Sequence, residues 1–296
     1  METHNTLTNT APACLGEELR CLATAIADAV PVEKIICFGS TVHQVWRKSC
    51  FAEAGHADWP EKSKHLLLII PSIGNDFHGP IIQQRAEEAA RSIAEVTAIV
   101  HSMDEVNAAL QGGSTFFSAI YRKGTLIHDR NEMPFAALGE GKPIVNRIAK
   151  REQFWEKWYD LARGFLQGAA FYHGANRPHL AVYMLHQALQ HCYAGVLRVM
   201  TGYRTNSHGL GRLLRLIDVA GFNSSIALPQ QTPEEARLVA ILLKGYSDAR
   251  YSTDFDVNAD DAVRLMECVS AIIETADRHC RKRMQQLRDG QLAYAV

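Results

Sequence analysis

The chain has 296 residues, 47% of them hydrophobic and 21% charged, with a formal net charge of −1. At about 150 residues per domain this length points to two domains of ordinary globular composition. The near-neutral balance argues against a protein that coats polyanions but leaves room for a local basic patch. The longest apolar run, Leu66 to Ile70, is far short of the roughly 20 residues a membrane helix needs. No stretch near Met1 resembles a signal peptide. The seven cysteines are odd in number and form no C-x-x-C pair, so they read as the reduced thiols of a cytoplasmic protein.

Residues 1–14 are polar and rich in Thr and Asn, and read as a flexible terminus. Leu15, Leu19, Leu22, Ile26 and Val30 then recur at helical spacing. Lys34 to Phe38 is a short apolar run that reads as a buried strand ended by Gly39. Ser40 and Thr41 can cap a helix over Val42 to Arg47. Cys50 to Lys64 is expected to be a loop, and Leu66 to Ile70 a second strand closed by Pro71. A helix over about Pro80–Glu95, a strand over Val96–His101, short helices over Met103–Leu110 and Thr115–Arg122, and a strand over Thr125–His128 follow. The first half is therefore α+β.

Pro134 to Pro143, punctuated by Gly139 and Gly141, opens a linker expected over 134–146. Beyond it the pattern is helical throughout. Phe154, Trp158, Leu161, Phe165 and Ala169 share one face, and the turn Gly174 to Pro178 interrupts them. Ala181, Leu185, Ala188, Cys192, Val196 and Val199 share another, stopped by Gly202. A shorter helix spans Leu210–Val219. Thr232-Pro233-Glu234-Glu235 combines a cap, a first-turn proline and a third-position acid, and opens a helix to about Ser247. Ala262, Leu265, Val269, Ile272 and Ala276 mark the last helix. Long helices and short loops imply an antiparallel bundle over 147–290.

In the first half, Ile35-Ile36-Cys37-Phe38-Gly39-Ser40 followed by helix, loop and strand resembles the nucleotidyltransferase superfamily over about residues 15–133. The resemblance implies a mixed sheet flanked by helices, with Gly39 and Ser40 at a helix N-terminus that receives a phosphate. Nucleotidyl transfer also needs carboxylates to hold Mg²⁺. The family's Asp-x-Asp would stand at the start of the second strand, where Lys64 and His65 stand instead. The strand Val96–His101 has no acid for the third carboxylate. The half therefore reads as a degenerate, pseudo-enzyme domain, with Gly39, Ser40, Lys64 and His65 as nucleotide- or phosphate-binding candidates. Asp58 and Glu61, in the preceding loop, are the acids a still active transferase would have to use.

The second half resembles the HEPN domain. Three segments carry the resemblance: Leu185 to Ala194, Thr201 to Leu214, and Tyr246-Ser247-Asp248-Ala249-Arg250-Tyr251. HEPN ribonucleases pair an arginine and a histidine separated by four to six residues, the histidine moving protons and the arginine stabilising transition-state charge. Here Arg204 and His208 have three residues between them, and Arg122 and His128 lie in the other half. His208, Tyr246, Arg250 and Tyr251 are the candidate site. They read either as an arginine fork for phosphate with an aromatic for a base, or as caps and core.

His173, His179, His186 and His191 lack a three-ligand spacing for zinc, and neither metal nor cofactor is expected. Trp155, Trp158 and Tyr159 read as bundle core. Arg278, Arg281, Lys282, Arg283 and Arg288 form a basic cluster on the last helix, either a solvated face or an RNA contact. Together these features point to a non-catalytic nucleotide- or RNA-binding regulatory protein of the nucleotidyltransferase–HEPN type, acting in stress or defence. A homodimer through the HEPN bundle is expected, with no membrane association. The alternatives are a nucleotidyltransferase acting on a small molecule or protein, and a HEPN ribonuclease.

Overall fold

A computed structural model describes residues 13–42, 46–49, 52–55, 62–72, 78–141, 144–219, 228–252 and 255–290. The residues expected to form the N-terminal tail up to 12, together with Asp58 and Glu61, lie outside the described residues. By contacts the chain divides into two units. One comprises residues 1–48, 54–108 and 123–136, the other 49–53, 109–122 and 137–296. Residues 109–122, expected within the first domain, thus count with the helical unit.

The first unit is α+β. Helix α1 (Ala13–Ala29) buries Leu15, Leu19, Leu22 and Ile26, the stripe its periodicity marks. Among the described residues six strands follow in chain order: β1 (Val32–Val42), β2 (Trp46–Ser49), β3 (Ala52–Gly55), β4 (Lys64–Pro71), β5 (Glu95–Val100) and β6 (Thr125–Asp129). The sheet order is β3-β2-β1-β4-β5, with β6 also on β1. β1 is antiparallel to β4 and to β6, whereas β4 and β5 are parallel. The parallel pair needs a crossover, supplied by α2 (Gly79–Ala90), which turns Ile82, Ala86 and Ala90 inward. β4 is buried along nearly its whole length and is paired on both edges, by β1 and β5.

Two local expectations are overturned. Residues 40–42 continue β1 and open no helix. β4 begins at Lys64, two residues earlier than its apolar run, and so offers partners to Gly39, Ser40 and Thr41 opposite Leu66, His65 and Lys64. The register slips between Cys37 and Gly39, so the glycine marks a bulge inside a longer strand, a familiar place for glycine in a sheet. The expected loop over Cys50–Lys64 likewise contains β3.

Helices α3 (Met103–Gln111) and α4 (Thr115–Lys123) match the two short helices foreseen. The second unit then runs through α5 (Ile144–Gly174), α6 (Pro178–Thr201), α7 (Leu210–Val219), α8 (Pro233–Lys244), α9 (Asp248–Tyr251) and α10 (Ala259–Arg288). α5 begins inside the expected linker, just before the start expected for the bundle. α6 is the central helix, buried on nearly every side from Ala181 to Thr201, and packs on α5, α7 and α10. Gly202 ends it in the left-handed conformation (φ 83°) that glycine adopts without steric cost. Thr232 and Glu235 form the reciprocal capping box that their spacing foretold.

Candidate functional site

The expected phosphate cradle of the first unit is not assembled. It requires Gly39 and Ser40 at a helix N-terminus, and β1 passes straight through them. Ser40 and His65 are 4% and 1% exposed and bond to each other, with Ser40 Oγ 2.9 Å from His65 Nδ1. His65 Nε2 lies 2.6 Å from Glu18 Oε1, and Cys37 Sγ lies 3.2 Å from Ser40 Oγ. Burial alone would discharge the imidazole, but its bonds to Cys37 and Glu18 outweigh that and hold its pKa at about 9. Glu18 is pulled below the ordinary carboxylate range, chiefly by accepting from His65. The imidazolium thus donates at both nitrogens inside the fold, a cross-tie between α1, β1 and β4. Lys64, partly exposed on β4, is the remaining member of the quartet.

The helical unit does bring candidate residues together. α6 carries Tyr183, His186 and Gln190 at intervals of three and four, which align along one stripe. Tyr246, in the turn after α8, stacks on Tyr183 with ring centroids 6.3 Å apart and meets the His186 ring at 5.3 Å. Arg250 on α9 lays its guanidinium 3.9 Å from the centre of the Tyr246 ring and 4.8 Å from that of Tyr251. Its Nε donates to Tyr246 O at 2.8 Å, so the carbonyl contact foreseen for this arginine is present as well. Tyr251 is 78% exposed.

His208 precedes α7 and reaches the same stripe one turn further along, its Nδ1 2.9 Å from Gln190 Nε2. Tyr246, Arg250 and Tyr251 therefore form one group, and His208 joins it through α6. His186 is 1% exposed, and burial followed by the nearby Arg250 charge depresses its pKa to about 4. It is neutral at physiological pH, and its Nδ1 has no hydrogen-bond partner. Gln190 Oε1 is likewise buried and unpartnered.

Tyr183 and Gln190 were not among the sequence candidates, and His186 was weighed there only as a zinc ligand. Their common stripe was the available signal, hidden because α6 is apolar on its other faces. Several of the remaining candidates make structural contacts. Trp155 is buried and donates from Nε1 to Asp277 Oδ1 at 2.7 Å. His191 lies between the rings of Trp158 and Phe165. On α10, Arg281 pairs with Asp277 and Arg288 with Glu152. Among the described residues no group of three His, Cys, Asp or Glu side chains is arranged to hold a metal ion. No described helix is long and apolar enough to cross a membrane.

No curated protein matches the chain. Residues 155–279, from within α5 to within α10, match the family model of the HEPN domain.

Proposed function

We propose that the HEPN region is a non-catalytic recognition site for single-stranded RNA, and that the protein is a regulatory binder. One observation carries the reading: Arg250 lies against Tyr246 and Tyr251 at 3.9 and 4.8 Å, with the Tyr251 ring 78% exposed. Unpaired bases stack on tyrosine rings and guanidinium planes, while the arginine charge meets the phosphate beside them. A cation held between aromatic faces is pre-ordered, so little rotamer entropy is lost on binding.

Cleavage chemistry is poorly supported at the same place. His186 is neutral, as a general base must be, but it is sealed from solvent. His208 is engaged with Gln190. In the first unit, β1 antiparallel to β4 and β4 parallel to β5 accords with a nucleotidyltransferase-like domain. Lys64 and His65 open β4 where such a transferase carries its acids. On this reading the first unit is a scaffold, and the two copies of a homodimer would associate through their HEPN bundles.

The test is fluorescence anisotropy with labelled oligoribonucleotides. Base–aromatic stacking is worth about 1–3 kcal/mol per base, so Tyr251→Ala should weaken binding by roughly five- to a hundredfold, and Arg250→Ala by at least as much. The RNA should remain intact throughout. Binding indifferent to both substitutions would refute the site, and cleavage by wild type that His208→Ala abolishes would restore the ribonuclease alternative.

A further inference from the structure

A second feature of the helical unit belongs to neither the Arg250 cluster nor the first unit. A cleft of about 620 Å³ is bounded by the loop before α4, one face of α5 and the end of α6. Its size falls within the roughly 300–1,000 Å³ usual for small-molecule sites. Five cations line it: Arg147, Lys150, Arg151 and Lys157 from α5, and Arg198 from α6. No carboxylate stands among the lining residues.

The four α5 residues fall at spacings of three, one and six, which places them along one side of the helix. Basic residues on a solvated face normally interleave with acids; these converge on a concavity.

The arrangement is built and partly dehydrated. Arg151 donates from Nη2 to Thr115 Oγ1 at 3.3 Å, which ties α5 to the first residue of α4. Arg151 pays for this place in acidity: burial first, and then the charges of Arg283, Arg147 and Arg198, lower its pKa to about 10. Arg147 Nε is buried without a hydrogen-bond partner. Arg198 spends a donor on Gly202 O and rests over the Phe154 ring at 5.6 Å.

The loop opposite is as constrained as the cations. Gly113 has φ +66°, and a Cβ there would stand 2.7 Å from Glu140 O. A side chain on Gly202 would strike Thr115 Oγ1. Both glycines let backbone close in on the cleft's rim. Ser114 Oγ caps α4 by accepting from the amide of Phe117, and the positive end of that helix faces the same cleft.

Arg147, Arg151 and Arg198 are partly buried and Lys150 and Lys157 exposed; with no acid among the lining residues to offset them, such a cluster is stabilised by a multiply charged anion. A single phosphate, with about two charges, would leave most of the five uncompensated, whereas a triphosphate brings about four. We propose that this cleft binds a polyphosphate group, the di- or triphosphate of a nucleotide, with Arg147, Lys150, Arg151, Lys157 and Arg198 as its ligands. The site stands on residues distinct from the Arg250 cluster, so either can fail without the other.

Calorimetric titration of the full chain with tripolyphosphate, ATP and adenosine is the test. Tripolyphosphate and ATP should bind and adenosine should not. Lys150→Glu with Lys157→Glu changes two exposed side chains and should weaken both ligands about tenfold or more. Arg85→Glu with Arg91→Glu, the same charge change on α2 and the residue that follows it, should leave them unchanged. Two further probes locate the source of the polyphosphate: an oligoribonucleotide with a 5′-triphosphate and the same strand with a 5′-hydroxyl. Binding of the triphosphate strand no tighter than ATP assigns a free nucleotide, and much tighter binding that needs the triphosphate assigns an RNA end. Absence of binding by tripolyphosphate, ATP and the triphosphate strand alike would overturn the proposal. So would binding undiminished in the Lys150/Lys157 variant, or weakened equally by the α2 control.

Discussion

The Glu18–His65–Ser40 tie makes the stability of the first unit depend on pH in a predictable direction. His65 is 1% exposed and titrates at about 9 in the folded state against 6.5 when unfolded. A raised histidine pKa means that folding favours the proton. The stabilisation is complete below 6.5 and is lost as pH climbs through 9. The difference of about 2.5 units, at 1.36 kcal/mol each, amounts to about 3 kcal/mol. Glu18 is the same pair seen from the carboxylate, with its pKa depressed, so its share is present above the ordinary carboxylate range and lost as pH falls. It is not an additional contribution at alkaline pH.

The assay is urea unfolding of wild type and His65→Gln in parallel from about pH 6 to about pH 10. The transition that melts the sheet is followed, and the non-titrating variant cancels every other group. Wild type should lose about 3 kcal/mol relative to the variant over that range, steepest between about pH 7 and 9. Curves that run parallel would mean that His65 is neutral in the fold, and the charged tie would be wrong. A difference that grows in the opposite direction would mean that burial outweighs the bonds to Glu18 and Cys37.

Three further outcomes follow from the helical unit. Trp155→Phe removes the indole donor to Asp277 and part of a fully buried ring, and should cost about 2 kcal/mol in denaturant unfolding. Gly195→Ala places a Cβ 3.0 Å from the Trp155 ring and 3.1 Å from Trp158 Cβ. The overpacking should exceed alanine's better helix propensity and leave a net loss of about 1 kcal/mol by the same measurement. His186, depressed to about 4, works opposite to His65: its folded form resists the proton. Lowering the pH from about 7 to about 5 should therefore cost wild type about 2 kcal/mol relative to His186→Gln, and a variant that loses as much would exclude His186 as the cause.

What could be read along the chain was read where one face of an element meets the core. The α1 stripe, the Gly202 stop and the Thr232 capping box all rest on local spacing, and each appears in the structure. Gly39 was misread because a strand's end is decided by its partner. Only the register against Lys64, His65 and Leu66 tells a bulge from a terminus, and that register is not local information. The Glu33–Lys34 pair was hidden for a similar reason. Lys34 is buried because Glu33 and Asp129 receive its ammonium, and Glu33 also accepts the amides of Glu132 and Met133. Those partners lie almost a hundred residues away in sequence.

α6 holds buried polar side chains of two kinds, satisfied and unsatisfied. A helix this deeply covered has no room for an idle polar side chain. Thr201 is buried, and its hydroxyl donates to Leu197 O and accepts from the Tyr203 amide. Its polarity is consumed in ending the helix, and nothing functional follows from it. His186 and Gln190 are as deeply placed on the opposite count: each keeps a buried polar atom without a partner. Leucine at either position would remove a penalty of about 1–3 kcal/mol. Both sit on the stripe of α6 that touches Tyr246 and His208; Gln187 and His191 on the same helix also keep a buried unpartnered nitrogen. In our proposal recognition on this face rests on the exposed Tyr251 ring and the Arg250 guanidinium against it, while His186 and Gln190 lie too deep to meet a ligand directly.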